Sequence, residues 1–401
     1  MEYTINHTAE VSTLSSTKFH ALTKNGPYID AHFGPLTKKT PVGQTYYARP
    51  LTKYVPPDSK QDGSLIIHIK DCIPFVHAQG NEVTQTGYTY TMNLNTSFTG
   101  DDNLYVRLKA GNQGSQWLDK ETYHIETKST GSSFNVDKLW YQFPVGDSVT
   151  AFAGPLIENY YMYVTPSIYQ PGALKSMKLG GNSNFGASTD VGFGVKYEAD
   201  NGFALASNVV TKGAMGTGML GEAEARKWDT QVAYTTDRWH VSATLSDAQK
   251  WTSQAYNATK LGYEMGKSGD TTGYALRGYW RPEESGSATP EISVGYDIKE
   301  ADDATGSEAS RADSYFVGLT WRDMFQADDR IGFAVTQPLA VTENKDSSAT
   351  GEVDPLVWEA YYSFRPNDSV EVRPAVFGGS DIKAETNDDI FGVVLTTVFK
   401  F

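Results

Sequence analysis

Three sets of residues have types and spacings that could do chemistry. His68, Cys72 and His77 place two imidazoles and the single thiol in one short stretch, the donor set of a metal site. Their spacing matches no established site, so scattered residues in an irregular arm is the favoured reading, and no metal or other cofactor is expected. His240 and Ser242 share one face of a strand pattern, with Asp229 on the neighbouring one, which are the residue types of a hydrolase. No Gly-Xaa-Ser-Xaa-Gly elbow, His-Glu-Xaa-Xaa-His pair or phosphate loop accompanies them, so the chain is not expected to be an enzyme. The third set is larger. Arg107, Lys109, Lys138, Lys196, Glu198, Arg277, Glu359, Glu371 and Arg373 sit at alternate positions of otherwise apolar runs. Charges spaced this way line a wetted wall rather than converge on one reacting atom.

Composition narrows the elements that could carry such a wall. The chain has 401 residues, 34 Lys plus Arg against 48 Asp plus Glu, and a formal charge of −14. That balance excludes nucleic acid as the main partner, because phosphate-binding surfaces are basic. One Cys rules out a disulfide framework within the chain. No run approaches the roughly 18 consecutive apolar residues of a transmembrane helix. A mean hydropathy of −0.43 would suggest a water-soluble protein. Averaging hides a period of two.

In Tyr88-Thr89-Tyr90-Thr91-Met92-Asn93-Leu94-Asn95-Thr96-Ser97-Phe98 the even positions are largely aromatic or aliphatic and the odd ones polar. Leu104, Val106 and Leu108 alternate in the same way with Tyr105, Arg107 and Lys109. Trp358, Ala360, Tyr362 and Phe364 alternate with Glu359, Tyr361, Ser363 and Arg365. Successive strand side chains point to opposite faces, so about fifteen such runs from residue 86 onward predict an all-β chain. Short turns at 99–102, 146–148, 199–202, 236–238 and 366–368 alternate with long segments at 111–132, 156–189, 211–227, 246–271, 298–313 and 338–355. That wiring is an up-and-down meander with short turns at one end and long loops at the other, as in outer-membrane barrels. An odd strand count would leave an edge unpaired in lipid, so one more strand must precede residue 86. Ser64–Ile69 is the best candidate, giving about sixteen. The expectation is a transmembrane antiparallel β-barrel over 64–401 and an irregular N-terminal extension over 1–63.

The final segment carries Phe391, Val393, Leu395, Phe399 and Phe401 on one face, the pattern read by outer-membrane assembly machinery. Leu395, Phe399 and Phe401 are its expected core.

Four phrases carry a family resemblance: Leu94-Asn-Thr-Ser-Phe-Thr-Gly-Asp-Asp102, Gly154-Pro-Leu-Ile-Glu-Asn-Tyr-Tyr161, Thr165-Pro-Ser-Ile-Tyr169 and Leu179-Gly-Gly-Asn-Ser-Asn-Phe-Gly-Ala-Ser-Thr189. They resemble cyanobacterial iron-uptake porins, a group placed with the carbohydrate-selective OprB-type porins. The resemblance covers roughly 84–401 and implies a trimeric sixteen-stranded porin in the bacterial outer membrane. Its implied partners are the lipid bilayer, two further copies, small inorganic ions including iron, and small polar solutes. Sugars are the alternative solute, and an outer-membrane β-barrel hydrolase is a distant one. Family members usually carry a signal peptide and an S-layer-homology domain. Residues 1–63 show neither; they are rich in Pro, Lys and Thr and hold His7, His20 and His32.

With the apolar face on lipid, the charged set above faces the lumen, because a Lys or Arg at mid-membrane on the lipid side costs about 2–4 kcal/mol. Segment 156–189 carries Tyr160, Tyr161, Tyr163, Tyr169, Lys175 and Lys178. Long connections without regular structure are usually functional, so this one is expected to fold inward as a constriction, with Tyr faces for sugars and Lys for anions. An external loop at a trimer axis is the rival. Trp228, Trp239, Trp280, Trp321 and Trp358 lie near strand ends and read as aromatic girdles.

Overall fold

The computed structural model describes residues 4–5, 46–47, 64–78, 81–112, 130–164, 167–181, 189–212, 225–253, 255–267, 269–346, 355–380 and 390–400. Alternation of apolar and polar residues, broken by Gly- and Asp-rich turns, produces antiparallel strands throughout. In chain order they are β1 (Ser64–Ala78), β2 (Asn81–Thr86 continued by Thr89–Ser97), β3 (Asn103–Gly111) and β4 (Asn135–Val145). Then come β5 (Val149–Ile157), β6 (Asp190–Glu198), β7 (Phe203–Thr211), β8 (Arg226–Thr235), β9 (Trp239–Gln249) and β10 (Asp270–Trp280). The last six are β11 (Glu291–Ala301), β12 (Ala309–Arg322), β13 (Arg330–Asn344), β14 (Leu356–Asn367), β15 (Val370–Ser380) and β16 (Ile390–Lys400).

Each strand pairs with its sequence neighbour, and β16 returns to β1, with Lys400 opposite Lys70 and Gly392 opposite Ala78. The barrel is therefore closed, which leaves no backbone donor or acceptor facing lipid at an edge. The two pieces of β2 keep one register against β1, with Cys72 opposite Thr89 and Phe75 opposite Thr86. They count as one stave. Seventeen strand segments thus make sixteen staves. The expected first strand exists but runs from 64 to 78 rather than 64 to 69, and it contains the backbones of His68, Cys72 and His77. Thr4–Ile5 and Tyr46–Tyr47 form a separate two-residue ladder, and Phe401 lies outside the described residues.

Two faces of one wall show why alternation suffices. On β9 and β10, Val241, Leu245 and Leu276 are exposed on the outside at 52%, 49% and 53%. The intervening Ser242, Thr244 and Ser246 are buried on the inside. Register continues the outer band across strands, from Leu276 to Tyr296 and from Val294 to Val317 and Val335. An exposed apolar surface of this extent is a lipid-facing one. Trp239 stands opposite Trp280 at the short-turn end, while Trp228 and Trp358 mark the long-loop end. No described helix is long and apolar enough to cross a membrane, which says nothing against crossing by strands.

The wall is taller than expected at β12 and β13, which extend into the segments 298–313 and 338–355 that sequence had given to loops. The reason is local pairing. Thr342 donates to Asp313 at 2.8 Å, and a second loop adds Ala258 beside Leu339 as a parallel bridge.

Candidate functional site

The interior is built from the inward residues of the staves and from the connection after β5. That connection leaves the wall as two short 3-10 turns, Asn159–Met162 and Lys175–Gly180, and runs inside the barrel. Its root is tied by side chains. Lys138 Nζ on β4 meets Glu158 at 2.5 Å and donates to Thr189 Oγ1 at 2.9 Å. Burial opposes the Glu158 charge, but Lys138 and Arg107 beside it hold the carboxyl below its usual range. Asp229 on β8 accepts from Asn159 at 3.0 Å and from the Tyr163 hydroxyl, with Lys227 at 3.2 Å. Gln231 accepts the Val164 N–H at 2.9 Å.

The tip is tied through its backbone. The Glu359 carboxylate on β14 receives the N–H groups of Gly172, Ala173 and Leu174 at 2.7, 2.9 and 2.7 Å and the Tyr169 hydroxyl at 2.8 Å. Glycine is required where the tip meets the wall, since a Cβ on Gly172 would lie 2.3 Å from the Tyr361 ring. Below it, Tyr169, Ala173, Leu174 and Met177 pack on Phe316, Val357, Tyr361, Phe377 and Val394, an apolar core inside the barrel. Further along, Leu179, Gly180 and Gly181 all take positive φ, 54°, 70° and 94°. The reversal aims the Leu179 carbonyl at Arg277 Nε, 3.0 Å away.

A second loop locks the first. Asn257 donates to the Ser176 and Gly181 carbonyls at 3.3 and 3.0 Å, and Lys175 lies 4.4 Å above the Tyr256 ring. Lys299 on β11 holds that second loop by donating to Trp251 O, Ser253 Oγ and Met265 O at 3.1, 3.3 and 2.8 Å. Sequence reasoning missed Lys299, Asp297, Arg330 and Glu158. Strand parity, which puts Lys299 on the same face as Asp297 and Arg330 on that of Ala334, would have found the strand residues.

The expected pore-lining residues all lie on inward-turned positions, but they divide by exposure. Arg107, with Asp137 at 2.6 Å from its Nε, keeps 15% of its side chain exposed, and Lys196 keeps 18% beside Glu198. Lys109 is half-buried and Arg373 17% exposed. Lys138, Arg277 and Glu359 are sealed under the loop instead. Arg277 is paired bidentately with Asp297 at 2.9 and 2.8 Å, and Glu371 is buried between Arg330 and Arg373. These four anchor or brace structure because the returning loop covers them, which corrects the picture of every one facing open water.

Among the loop residues, Tyr163 and Tyr169 are each 4% exposed, so they cannot offer free ring faces to a solute. Burial pushes both phenols well above their usual range, with Asp229 and Glu359 adding to it. Tyr160 and Tyr161 are half-buried and continue a run of rings: Tyr105 to Trp140 at 4.0 Å, Trp140 to Tyr161 at 4.4 Å, Tyr161 to Tyr160 at 4.5 Å. Lys175 and Lys178 are half-buried. Leu395 and Phe391 face outward at 40% and 46%, and Phe399 shares their parity. His240 and Asp229 do not meet: His240 stands opposite Thr235 and Asp229 opposite Ser246, while Ser242 faces Ala233. The hydrolase set is not assembled. Among the described residues, no group of three His, Cys, Asp or Glu side chains could hold a metal.

A closed sixteen-stave barrel, apolar outside, polar inside and crossed by an inward loop, is the fold of outer-membrane porins. Solved structures agree on the fold. The chain resembles OmpT, an outer membrane protein of Vibrio cholerae solved as a loop-deletion mutant, at 12% identity and a TM-score of 0.54, covering 84% of this chain and 99% of that one. A protein described under asymmetric conductivity of engineered proteins gives 10% and 0.53, and a triple mutant of the Rhodopseudomonas blastica porin gives 10% and 0.51, each covering 84% of this chain and all of the other. No family model matches. An uncharacterized protein of Synechocystis is 23% identical over 345 residues, which span 76% of this chain and 61% of that relative.

Proposed function

We propose that this chain is an outer-membrane porin, a water-filled channel for passive diffusion of inorganic ions, iron among them, and small polar solutes. The observation that carries the proposal is a closed barrel with charged residues on its inner wall and a loop tied across its interior. On this reading residues 64–401 are the barrel and 1–63 an extension outside it. Arg107, Lys109, Lys196 and Arg373 meet the solute, and the 158–181 loop is the constriction. The C-terminal Leu395, Phe399 and Phe401 serve assembly, the bacterial outer membrane is the location, and three copies associate. The fold likeness to solved porins supports the general reading.

The test is reconstitution. Refolded in detergent, the full chain is expected to run as a heat-labile trimer and to give stepwise ohmic currents in planar bilayers; no channel at any voltage would defeat the proposal. Sugar passage is the second reading, favoured by the half-buried Tyr105, Tyr160 and Tyr161 rings, which pack around the buried Trp140 beside the Arg107–Asp137 pair. Current noise or block on adding glucose or maltose would support it, and unchanged currents would remove it.

A further inference from the structure

Behind the middle of the inward loop, four buried polar atoms on two adjacent staves have no hydrogen-bond partner among the described residues. They are His240 Nε2, Ser242 Oγ and Thr244 Oγ1 on β9, and Asp229 Oδ1 on β8. Strand parity puts the three β9 side chains on the inner face, and register sets Asp229 beside Ser246, one inward position beyond Thr244. The loop crosses this floor on the staves to either side. Gln231 on β8, opposite Thr244, accepts the Val164 N–H at 2.9 Å. Arg277 on β10, opposite Ser242, donates to the Leu179 carbonyl at 3.0 Å. Both are long side chains. The Ser242 and Thr244 hydroxyls between them stop at the first atom beyond Cβ, and their other neighbours in register are Ala233 and Ala275. Short groups therefore lie under a span held up by long ones. His240 closes the row: its Nδ1 lies 2.7 Å from Thr235 Oγ1, its ring stacks on Tyr279 at 5.0 Å, and only 1% of it is exposed.

Protein interiors satisfy nearly all of their buried polar atoms, and where no protein group is in reach the partner is an ordered water. The spacing suits one. Alternate residues of a strand lie ~7 Å apart, and diagonal neighbours on paired strands ~7–8 Å. A water making two hydrogen bonds bridges most of that span, and the side chains lean across the rest. Charge argues against other ligands. Lys227, 3.2 Å from Asp229, and the Arg277 guanidinium opposite Ser242 oppose a bound cation, while the Asp229 carboxylate opposes an anion. Water both donates and accepts, so it serves either tautomer of His240, two hydroxyls and a carboxylate oxygen.

We propose that the seam between the 158–181 loop and the β8–β9 wall binds a file of water molecules that joins His240, Ser242, Thr244 and Asp229 into one hydrogen-bonded chain. The loop is then dry where its tip packs on Phe316 and Phe377 and wet along its middle. The inference goes beyond the porin reading and does not depend on conduction, so the failure of one leaves the other standing. Hydroxyl-radical footprinting by X-ray radiolysis, read by mass spectrometry on the refolded full chain, tests it directly, because bound water releases radicals beside the groups that hold it. His240 is expected to be oxidised although buried, whereas Phe316, equally buried in the apolar core, is not. Ser242→Val, which fills the seam, is expected to lower the labelling of His240. A His240 as unreactive as Phe316 overturns the proposal, and so does labelling that Ser242→Val leaves unchanged. Thr244→Val gives a second arm, since it keeps the shape and removes one hydroxyl. On a wet seam that hydroxyl holds water, so the unfolding temperature is expected to fall; on a dry one its removal relieves an unpaired polar group, so a temperature that stays or rises overturns the proposal.

Discussion

The root and the tip of the inward loop are held by opposite chemistries. At the root, side chains meet side chains: Lys138 with Glu158, Asp229 with Asn159 and Tyr163. At the tip, one wall carboxylate collects three consecutive backbone N–H groups, and an apolar core closes beneath it. Side-chain anchors tolerate small shifts because each partner can rotate. A backbone nest fixes the chain itself, since the N–H groups move only with the loop. The tip should therefore set the width of the passage, and the root its orientation.

The largest effect should come from removing the nest. Glu359→Ala leaves three buried N–H groups and a phenol without an acceptor, at about 1–3 kcal/mol each, and should free the tip. Single-channel conductance is expected to rise and protease to cut near 170–178; an unchanged conductance would count against the tip as the constriction. Asp229→Ala removes one hydrogen-bond partner each from Tyr163 and Asn159 and the carboxylate beside Lys227, with an expected total cost of about 1–3 kcal/mol. Because the tip still holds, thermal stability should fall while conductance stays near the parent value, and equal changes in both variants would erase the distinction between root and tip.

A smaller effect is expected from Asn257→Ala, which removes two hydrogen bonds between the loops, about 1 kcal/mol each. More frequent brief openings in current traces would reveal it. The smallest concerns neither end of the loop but the turns outside the membrane-spanning strands. Burial works against the charge of Asp102 and Asp329, yet hydrogen bonds win: Tyr141, Ser97 and Thr99 for Asp102, and the N–H groups of Met324, Phe325 and Gln326 with Tyr362 for Asp329. Both carboxyls lie below their usual range, so their stabilisation is complete above the unfolded carboxylate value of about 4 and is lost as pH falls through the folded one. The temperature at which the folded band disappears on gels should drop in acid, and less so in Asp102→Asn. Loop-dependent conductance should not follow that change.

Much of the wall was legible in the residues because a strand's side-chain period is two and lipid accepts only one of its faces. Tyr88–Phe98, Trp358–Arg365 and the C-terminal Phe391–Phe399 assign inside and outside without any knowledge of neighbours. Parity of turns required the sixteenth stave that β1 supplies. The site was less legible. Lys138, Arg277 and Glu359 have the same local pattern as Arg107 and Lys196, and nothing in their own strands distinguishes a sealed anchor from a wetted wall. Tyr163 and Tyr169 likewise look no different from Tyr160 and Tyr161.

By itself, then, the sequence determined the barrel, its strand number and the face each charge occupies, because these depend on alternation and on closing the sheet in lipid. Only the tertiary structure decided which of those charges meet water. That depends on where the 158–181 loop returns, on a carboxylate 185 to 190 positions further along the chain that captures it, and on the exclusion of water from the surface the loop covers. Contacts at that sequence separation leave no local trace, and burial changes a charge from a solute contact into a structural tie.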